Sequence, residues 1–502
     1  MPIPFKKDPL AFKQRLLFPR YIFDLLPSDH ECFIYDTLFE QLDTSSLESK
    51  YSTIGQNAYH PRLITSILIY AYRKGVFSSR EIEARCHQDL AFMYISHMNC
   101  PNFRVLSDFR KDNAAFFKDS FKQTVRLARE VGMAPLEHTS TDGSKFKADT
   151  SKHKAMSYGH LKAKEEELVK EIDEIIEKAR QCDEAEDKEL GDKTGRELPE
   201  ELKIKEKRLG KIRAAKEALE KREREINPGK KIEDKKQISF TDKEARIMGK
   251  KGHFEYAYNG QISVDKKHQI IVGEHLTQNE NDKKEVAPAL REIQETTGRL
   301  PDKASLDNGY SSGPNLAELA DKGVDAYVAT GREGKEDPRA IEECEREIKK
   351  NDFTYNTEGD FFVCPAGQTV ALKRSSEDGK RIYQASREDC ERCPLKHRCC
   401  KSQKGEPRSI HTDDKEPLRQ QMIEKMQGSE AKEIYKKRKE IVEPVFGQIK
   451  NSGFRGFHLR GFRKASGEFS LICAVHNLKK IVGAIIRAEV RLEMGKLSQV
   501  GC

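Results

Sequence analysis

Residues 435–450 read Tyr-Lys-Lys-Arg-Lys-Glu-Ile-Val-Glu-Pro-Val-Phe-Gly-Gln-Ile-Lys, and the rest of the chain is best read outward from them. Glu443 sits among cations, with Lys450 seven positions on. Seven residues are nearly two helical turns, so the two side chains would share a face. Val442, Phe446 and Ile449 would form an apolar stripe beside it. Pro444 disfavours helical geometry at the preceding residue, which puts Glu443 at a kink or just before a helix start. The next strip, Asn451 to Lys464, alternates cations with Phe454, Phe457 and Phe462. An ordinary charged helix would share the first of these patterns. An acid on a packed surface, followed by a basic, aromatic, glycine-punctuated strip, suggests instead metal chemistry on a polyanion.

Composition bounds the alternatives. At 502 residues the chain exceeds the size at which one core keeps growing, so two or three domains are expected. Charged residues (35%) nearly match hydrophobic ones (36%), which implies long solvated helices or extended charged segments. The net charge of +8 is a small excess, so any nucleic-acid surface must be a local patch. Twelve cysteines in such a length do not make a secreted disulfide scaffold. The N-terminus lacks the apolar core of a signal peptide, and no run approaches a membrane span. The chain reads as cytoplasmic and reduced, with no membrane partner.

Two more acids stand in similar settings. Residues 136–149 begin β-prone and place Asp142 directly before Gly143, as at a strand edge that offers its carboxylate openly. Lys303 to Tyr310 puts Asp307 at the end of a short strand, again beside a glycine. Between them, 254–265 and 269–277 are β-rich runs joined as a hairpin, followed by a helix from about 282 to 295. A helix at 315–321 and a strand at 324–330 complete a mixed sheet with helical crossovers, an α/β class.

The remaining segments surround that sheet. An N-terminal helical domain over 1–135 has a helix opened by His60-Pro61, a second capped by Ser78 or Ser79, and a third from near Asn102. Such helices permit either DNA contact or a plain bundle. Residues 153–250 carry Leu161, Leu168, Ile172, Ile175 and Ala179 on one face, and Leu202, Leu209, Ile212, Leu219 and Ile226 on another. These spacings predict an antiparallel helical hairpin, broken near 191–199. A second insertion, 335–428, contains Cys364, Cys390, Cys393, Cys399 and Cys400. Cysteines two residues apart suit a tetrahedral ion, so Cys364, Cys390, Cys393 and Cys399 are candidate structural zinc ligands, with His397 or Cys400 as substitutes. The sheet domain then comprises 136–152, 251–334 and 429–490, and the apolar helix at 465–495 is expected to pack on the sheet.

Asp142-Gly143, Asp307-Asn308-Gly309-Tyr310 and Glu443 with Lys450 resemble the DDE transposases of bacterial insertion sequences, nearest to the branch named after insertion sequence 1182. Tyr258 to Gln261 and Val442 to Gly447 are similar to that group's motifs, as are Tyr59-His60-Pro61, Ser78-Ser79-Arg80 and Phe109-Arg110. The resemblance implies a ribonuclease-H-like catalytic fold in which Asp142, Asp307 and Glu443 hold two Mg²⁺ or Mn²⁺ ions for in-line phosphoryl displacement. A related signature spaces Tyr, Arg, Glu and Lys as Tyr435, Arg438, Glu443 and Lys450, but with one residue fewer between Arg and Glu; Lys439 is the alternative to Arg438. It further implies cleavage at element ends and strand transfer into target DNA. Partners would be double-stranded terminal repeats and target, with a homodimer or larger complex pairing the ends. Arg438, Lys450, Arg455, Arg460, Arg463 and Lys464 would bind phosphates, and Phe454 or Phe457 would stack on a base or pack. The rival readings are an inactive DNA-binding regulator on the same fold and a metal-dependent nuclease without strand transfer.

Overall fold

The computed structural model describes residues 22–51, 58–150, 155–190, 200–250, 253–330, 347–377, 379–402, 405–493 and 496–499. The chain forms two compact units, one of Met1–Gly132 with Ile449–Cys502 and one of Met133–Gln448.

The first unit is helical. Helix Pro61–Arg73 starts where sequence chemistry places it: the His60 ring accepts from the Arg62 backbone N–H at 3.1 Å, and proline needs no donor in the first turn. Its residues Ile64, Ile67, Leu68 and Tyr72 are buried. Asn102 caps helix Phe103–Asp112 by accepting from Val105 N–H at 3.0 Å. Ser78 stands at the start of helix Ser79–Gln88, but its hydroxyl makes no capping bond, contrary to expectation. The long apolar helix Phe462–Ile486 packs against Ala114–Glu130 and Pro61–Arg73 of this unit, not against the sheet as expected. It is long and apolar enough to cross a bilayer, yet most of its apolar stretch is buried. Phe454 and Phe457 are buried too, with Phe454 against Phe77 at 5.7 Å between ring centroids. They are packing residues, which removes the base-stacking reading.

The second unit is built on a mixed sheet of β1 (His138–Lys147), β2 (Arg246–Lys250), β3 (His253–Asp265), β4 (Ile271–Thr277), β5 (Lys303–Leu306) and β6 (Asp325–Val328). The order is β2-β3-β1-β5-β6, with β4 also on β3. β3 runs antiparallel to β1, β2 and β4, while β1, β5 and β6 are mutually parallel. Helix Val286–Thr297, which starts four residues later than expected, buries Val286 and Leu290 with Leu306, Leu316 and Val328. That late start leaves Asp282 in the connecting loop.

The two insertions fold as small bodies of this unit. Helices Tyr158–Leu190 and Glu200–Ile226 form the antiparallel hairpin, burying Leu161, Leu168 and Ile172 against Leu209, Ile212 and Leu219. Ile226 is exposed, while residues 191–199 and the side chains of Ala179 and Leu202 lie outside the described residues. The cysteine-bearing segment forms a five-stranded antiparallel sheet, Thr354–Asn356 through Ser409–Asp413, around Phe362, Val370 and Tyr383.

Candidate active site

Strand register brings the two aspartates together. Parallel pairing of β1 with β5 ends at Thr141 opposite Leu306, so Asp142 and Asp307 are the next residues along both strands. They stand where the parallel pairing ends, β5 stopping at Leu306 while β1 runs on to Lys147 against β3. β1 is an interior strand rather than the edge expected from its Asp-Gly pair; its carboxylate is open because the neighbouring strand stops. Beyond Leu306 the chain turns through Asn308–Tyr310, with the Asp307 Oδ1 accepting from Gly309 N–H at 2.8 Å.

The third acid comes from the last part of the unit. Helix Arg438–Ile441 ends at Val442, and a new helix, Glu443–Asn451, begins at once. Pro444 accounts for the break, because it cannot donate one turn back. The break absorbs the extra residue between Arg438 and Glu443 and turns both inward together. Phe146 on β1 meets Phe446 with 6.2 Å between ring centroids, which anchors the Glu443 helix against the same face of β1 that carries Asp142.

Arg438 is the hub. Its Nη2 lies 2.8 Å from Asp142 Oδ2 and 3.9 Å from Asp307 Oδ2, and its Nη1 lies 3.3 Å from Glu443 Oε1. The arginine is buried while Lys439 is exposed, so Arg438 is the inward-facing cation of the two. It was expected to bind phosphate; in the structure it binds the carboxylates. Burial alone would lower its proton affinity, but Asp142, Tyr435, Asp307 and Glu443 hold it above the ordinary value.

The trio remains short of positive charge. The side chains of Asp142, Asp307 and Glu443 are 18%, 38% and 50% exposed, and one guanidinium serves all three. Burial, with added repulsion from Asp307 and Asp282, raises the Asp142 carboxyl to about 6 despite the attraction of Arg438 and a bond from Gly143 N–H. Like charges gathered in a partly dry site produce this shift.

Asp282, which sequence reasoning did not single out, and Asn259, Gln261 and Tyr310, which it quoted only within motifs, complete the surroundings. Asp282 Oδ1 accepts from Gln261 Nε2 at 2.6 Å and Asn259 Nδ2 at 2.9 Å. The fully buried Tyr310 hydroxyl donates in turn to Gln261 Oε1. Gly143 and Gly309 leave room for this group. A Cβ at Gly143 would lie 2.8 Å from Asp282 Oδ1, and one at Gly309 would lie 2.9 Å from Asp307 Oδ1 and 3.2 Å from Asp282 Oδ2. The two-residue alternation of Asn259 and Gln261 on β3 was the available signal.

Among the described residues, no group of three or more His, Cys, Asp or Glu side chains is spaced to hold a metal ion. The acid trio nevertheless has the right donors for a hard divalent cation: all are oxygens, they converge on one point of positive charge, and two are substantially open. The cysteines gather in the other sheet of this unit. Cys364, Cys390, Cys399 and Cys400 share its small core, with Cys399 buried. Burial and neighbouring thiols push Cys390 up and Cys399 to about 12.

The remaining expected phosphate ligands lie in the helical unit. Arg455, Arg460 and Arg463 are exposed, and Lys464 and Lys450 are partly so. Burial lowers the Lys450 ammonium below its usual value.

Two aspartates from adjacent parallel strands and a glutamate from a helix thus gather around one arginine. Two family models match the chain: residues 363–482 match the one described as Transposase DDE domain, and residues 20–112 match Transposase domain (DUF772). The first match contains Glu443 and the cysteines, and Asp142 and Asp307 precede it. No curated relative matches the chain. The two matches support a DDE transposase, an enzyme acting on DNA in transposition.

Proposed function

We propose that this chain is a transposase of the insertion sequence 1182 branch, with a ribonuclease-H-like catalytic sheet, that cuts DNA at the ends of its element and joins them to target DNA. The observation that carries the reading is the convergence on Arg438 of three acids separated by most of the second unit's length: Asp142, Asp307 and Glu443. Strand order supports the fold assignment, since β3 and its neighbours are antiparallel to β1 while β5 and β6 run parallel to it.

In this reading Asp142, Asp307 and Glu443 hold divalent cations, Mg²⁺ or Mn²⁺. When bound, such ions activate the attacking oxygen and neutralise charge that builds on the phosphate. The protein's own contribution is placement. The β1–β5 register fixes the two aspartates, and the Pro444 break points Glu443 at them. Arg438 offsets part of the trio's charge and reaches all three carboxylates. Arg455, Arg460, Arg463, Lys464 and Lys450 bind backbone phosphates, so their loss weakens binding on any sequence and lowers its salt dependence. A dimer or larger assembly pairs the element ends.

A strand-cleavage assay on element-end DNA with Mg²⁺ or Mn²⁺ tests this. Wild type should cut and, with target present, yield joined products, while Glu443→Gln should bind the ends without cutting. Metal-dependent cutting by that variant at the wild-type rate overturns the site. Cutting without joined products favours the nuclease.

A further inference from the structure

Asp282 is a fourth carboxylate beside the trio, and its two oxygens are treated differently. Oδ1 is clamped by the amides of Gln261 and Asn259 at 2.6 and 2.9 Å. Gln261 is itself oriented, because Tyr310 donates to its Oε1. Oδ2 accepts no hydrogen bond from the described residues and lies beside Gly309, next to the Asp307 carboxylate. The clamp therefore fixes the Asp282 carboxylate and leaves one of its oxygens beside Gly309, on the side where Asp307 also lies.

A second acceptor nearby is also unspent. Asn259 is fully buried, and its Nδ2 donates to Asp282 Oδ1 and to the Asn279 carbonyl at 3.2 Å. Flipping the amide would turn its oxygen onto two oxygens, so this orientation is the stable one. Asn259 Oδ1 then has no donor, and it lies 2.9 Å from the point where a Cβ on Gly143 would stand. A buried acceptor without a donor is costly, normally about 1–3 kcal/mol. A structural cap for the loop would need the Asp282 backbone carbonyl, which does accept from Glu285 N–H at 3.1 Å, but not an oriented, unspent carboxylate oxygen.

We infer that Asp282 is a positioning residue for the divalent cation, one that sets the site's cation affinity through Asp307 and through water around the ion. The inference rests on the proposed function. Mg²⁺ retains several waters when bound, and such waters need acceptors beyond the direct ligands. Asp282 Oδ2 supplies one, and the Asp282 charge deepens the negative field that draws the ion in. Partners of this kind around metal ligands typically change affinity by about 10–100-fold when altered.

The full-length protein can be tested without DNA by titrating Mn²⁺ and following bound ion by calorimetry or by loss of its free electron-resonance signal. Asp282→Asn should weaken binding about tenfold, at the low end of that range, with unfolding temperature in the absence of metal unchanged or raised. Tyr310→Phe, which frees Gln261 to rotate, should weaken binding less, by about threefold. In the cleavage assay the Asp282→Asn defect should be a raised Mn²⁺ requirement, largely recovered at high metal. Mn²⁺ binding by both variants equal to wild type overturns the inference while leaving the trio intact. If Asp282→Asn fails to fold, Tyr310→Phe decides alone. If Asp142→Asn and Glu443→Gln also bind Mn²⁺ as wild type does, the trio assignment itself falls, and this inference with it.

Discussion

Each unit of the molecule buries one arginine among carboxylates, and the two clusters behave as opposites. In the helical unit, Glu468 is fully buried and receives the Tyr72 hydroxyl at 2.6 Å, the His458 ring at 3.1 Å, and the N–H groups of His458 and Leu459 at 2.9 and 3.1 Å. Arg110 stands 4.0 Å away and donates to Tyr72 and to the Phe77 carbonyl, both at 2.8 Å. One acid meets one base, and both oxygens are spoken for. Burial alone would raise the Glu468 carboxyl, yet His458, Arg110 and Tyr72 hold it below its ordinary range. In the sheet unit three partly exposed carboxylates share Arg438, and Asp142 is pushed up to about 6. The residue types are similar in both places. Each arginine keeps a buried Nε without a partner, so what differs is the balance of charge and the bonding of the carboxylates, and acids left short of both are where an external cation or substrate belongs.

The sharpest way to break this contrast is to neutralise one acid in each cluster. Asp142→Asn should reduce metal-dependent cleavage by about 10³-fold or more, on the scale of losing a principal electrostatic element of a catalytic site. The same change should leave the melting temperature no lower than wild type, because an acid held against repulsion has gone. Glu468→Gln should do the reverse. It leaves Arg110 buried without its counter-charge, at a cost of about 3 kcal/mol, while cleavage per folded molecule persists. Thermal melts run beside cleavage rates distinguish the two. If Asp142→Asn destabilised as strongly as Glu468→Gln, the sheet cluster would be structural as well.

What could be read in advance follows the range of the forces involved. The acid trio was legible because each member carries local chemistry: an Asp-Gly pair, Asp-Asn-Gly after a short strand, and an acid just before a proline. The hairpin was legible because heptad spacing is a property of one segment. That Arg438 would meet the acids was not legible, because it sits in a run of cations and only the helix break at Val442 decides which of them turns inward. Asp282 was read as the start of a helix. Its importance comes from contacts with Gln261 and Asn259, twenty-odd residues away, which no local pattern records. The 462–486 helix showed its apolar face plainly, but an apolar face does not say what will cover it. Cysteine spacing pointed to neighbours, and Cys364, Cys390, Cys399 and Cys400 do share one small core, but the spacing does not record that Cys399 is the buried one.

Acidity sharpens the contrast further, because the two clusters link to pH with opposite sign. Asp142 binds its proton more tightly folded than unfolded, so ionisation erodes stability as pH rises from about 4 through about 6, and the loss persists above that. The shift corresponds to about 3 kcal/mol. Glu468 is held below its ordinary value of 4.5, so its contribution is complete above that value and disappears as pH falls through the lower folded one. Unfolding free energies measured from pH 3 to 8 should therefore lose the upper slope in Asp142→Asn and the acid-side slope in Glu468→Gln. Because proton and cation compete for the Asp142 carboxylate, the Mn²⁺ concentration needed for half-maximal cleavage should rise as pH falls below about 6. A metal requirement that does not change between about pH 8 and about pH 5 would detach Asp142 from cation binding.

The smallest effect probes whether the helical cluster is as closed as it looks. Tyr72 is fully buried and its hydroxyl serves twice, donating to Glu468 and accepting from Arg110. Tyr72→Phe removes that oxygen alone. Arg110 keeps the Phe77 carbonyl, and Glu468 keeps His458 and two backbone donors, so no charge is stranded. The expected cost is that of one buried hydrogen-bonded group, about 1–2 kcal/mol, well short of Glu468→Gln. Because a closed network shares its load, the double variant Tyr72→Phe with Glu468→Gln should cost less than the two singles added together. Additive losses, measured by denaturant unfolding, would mean that Tyr72 and Glu468 act independently and that the cluster's balance comes from the backbone donors instead.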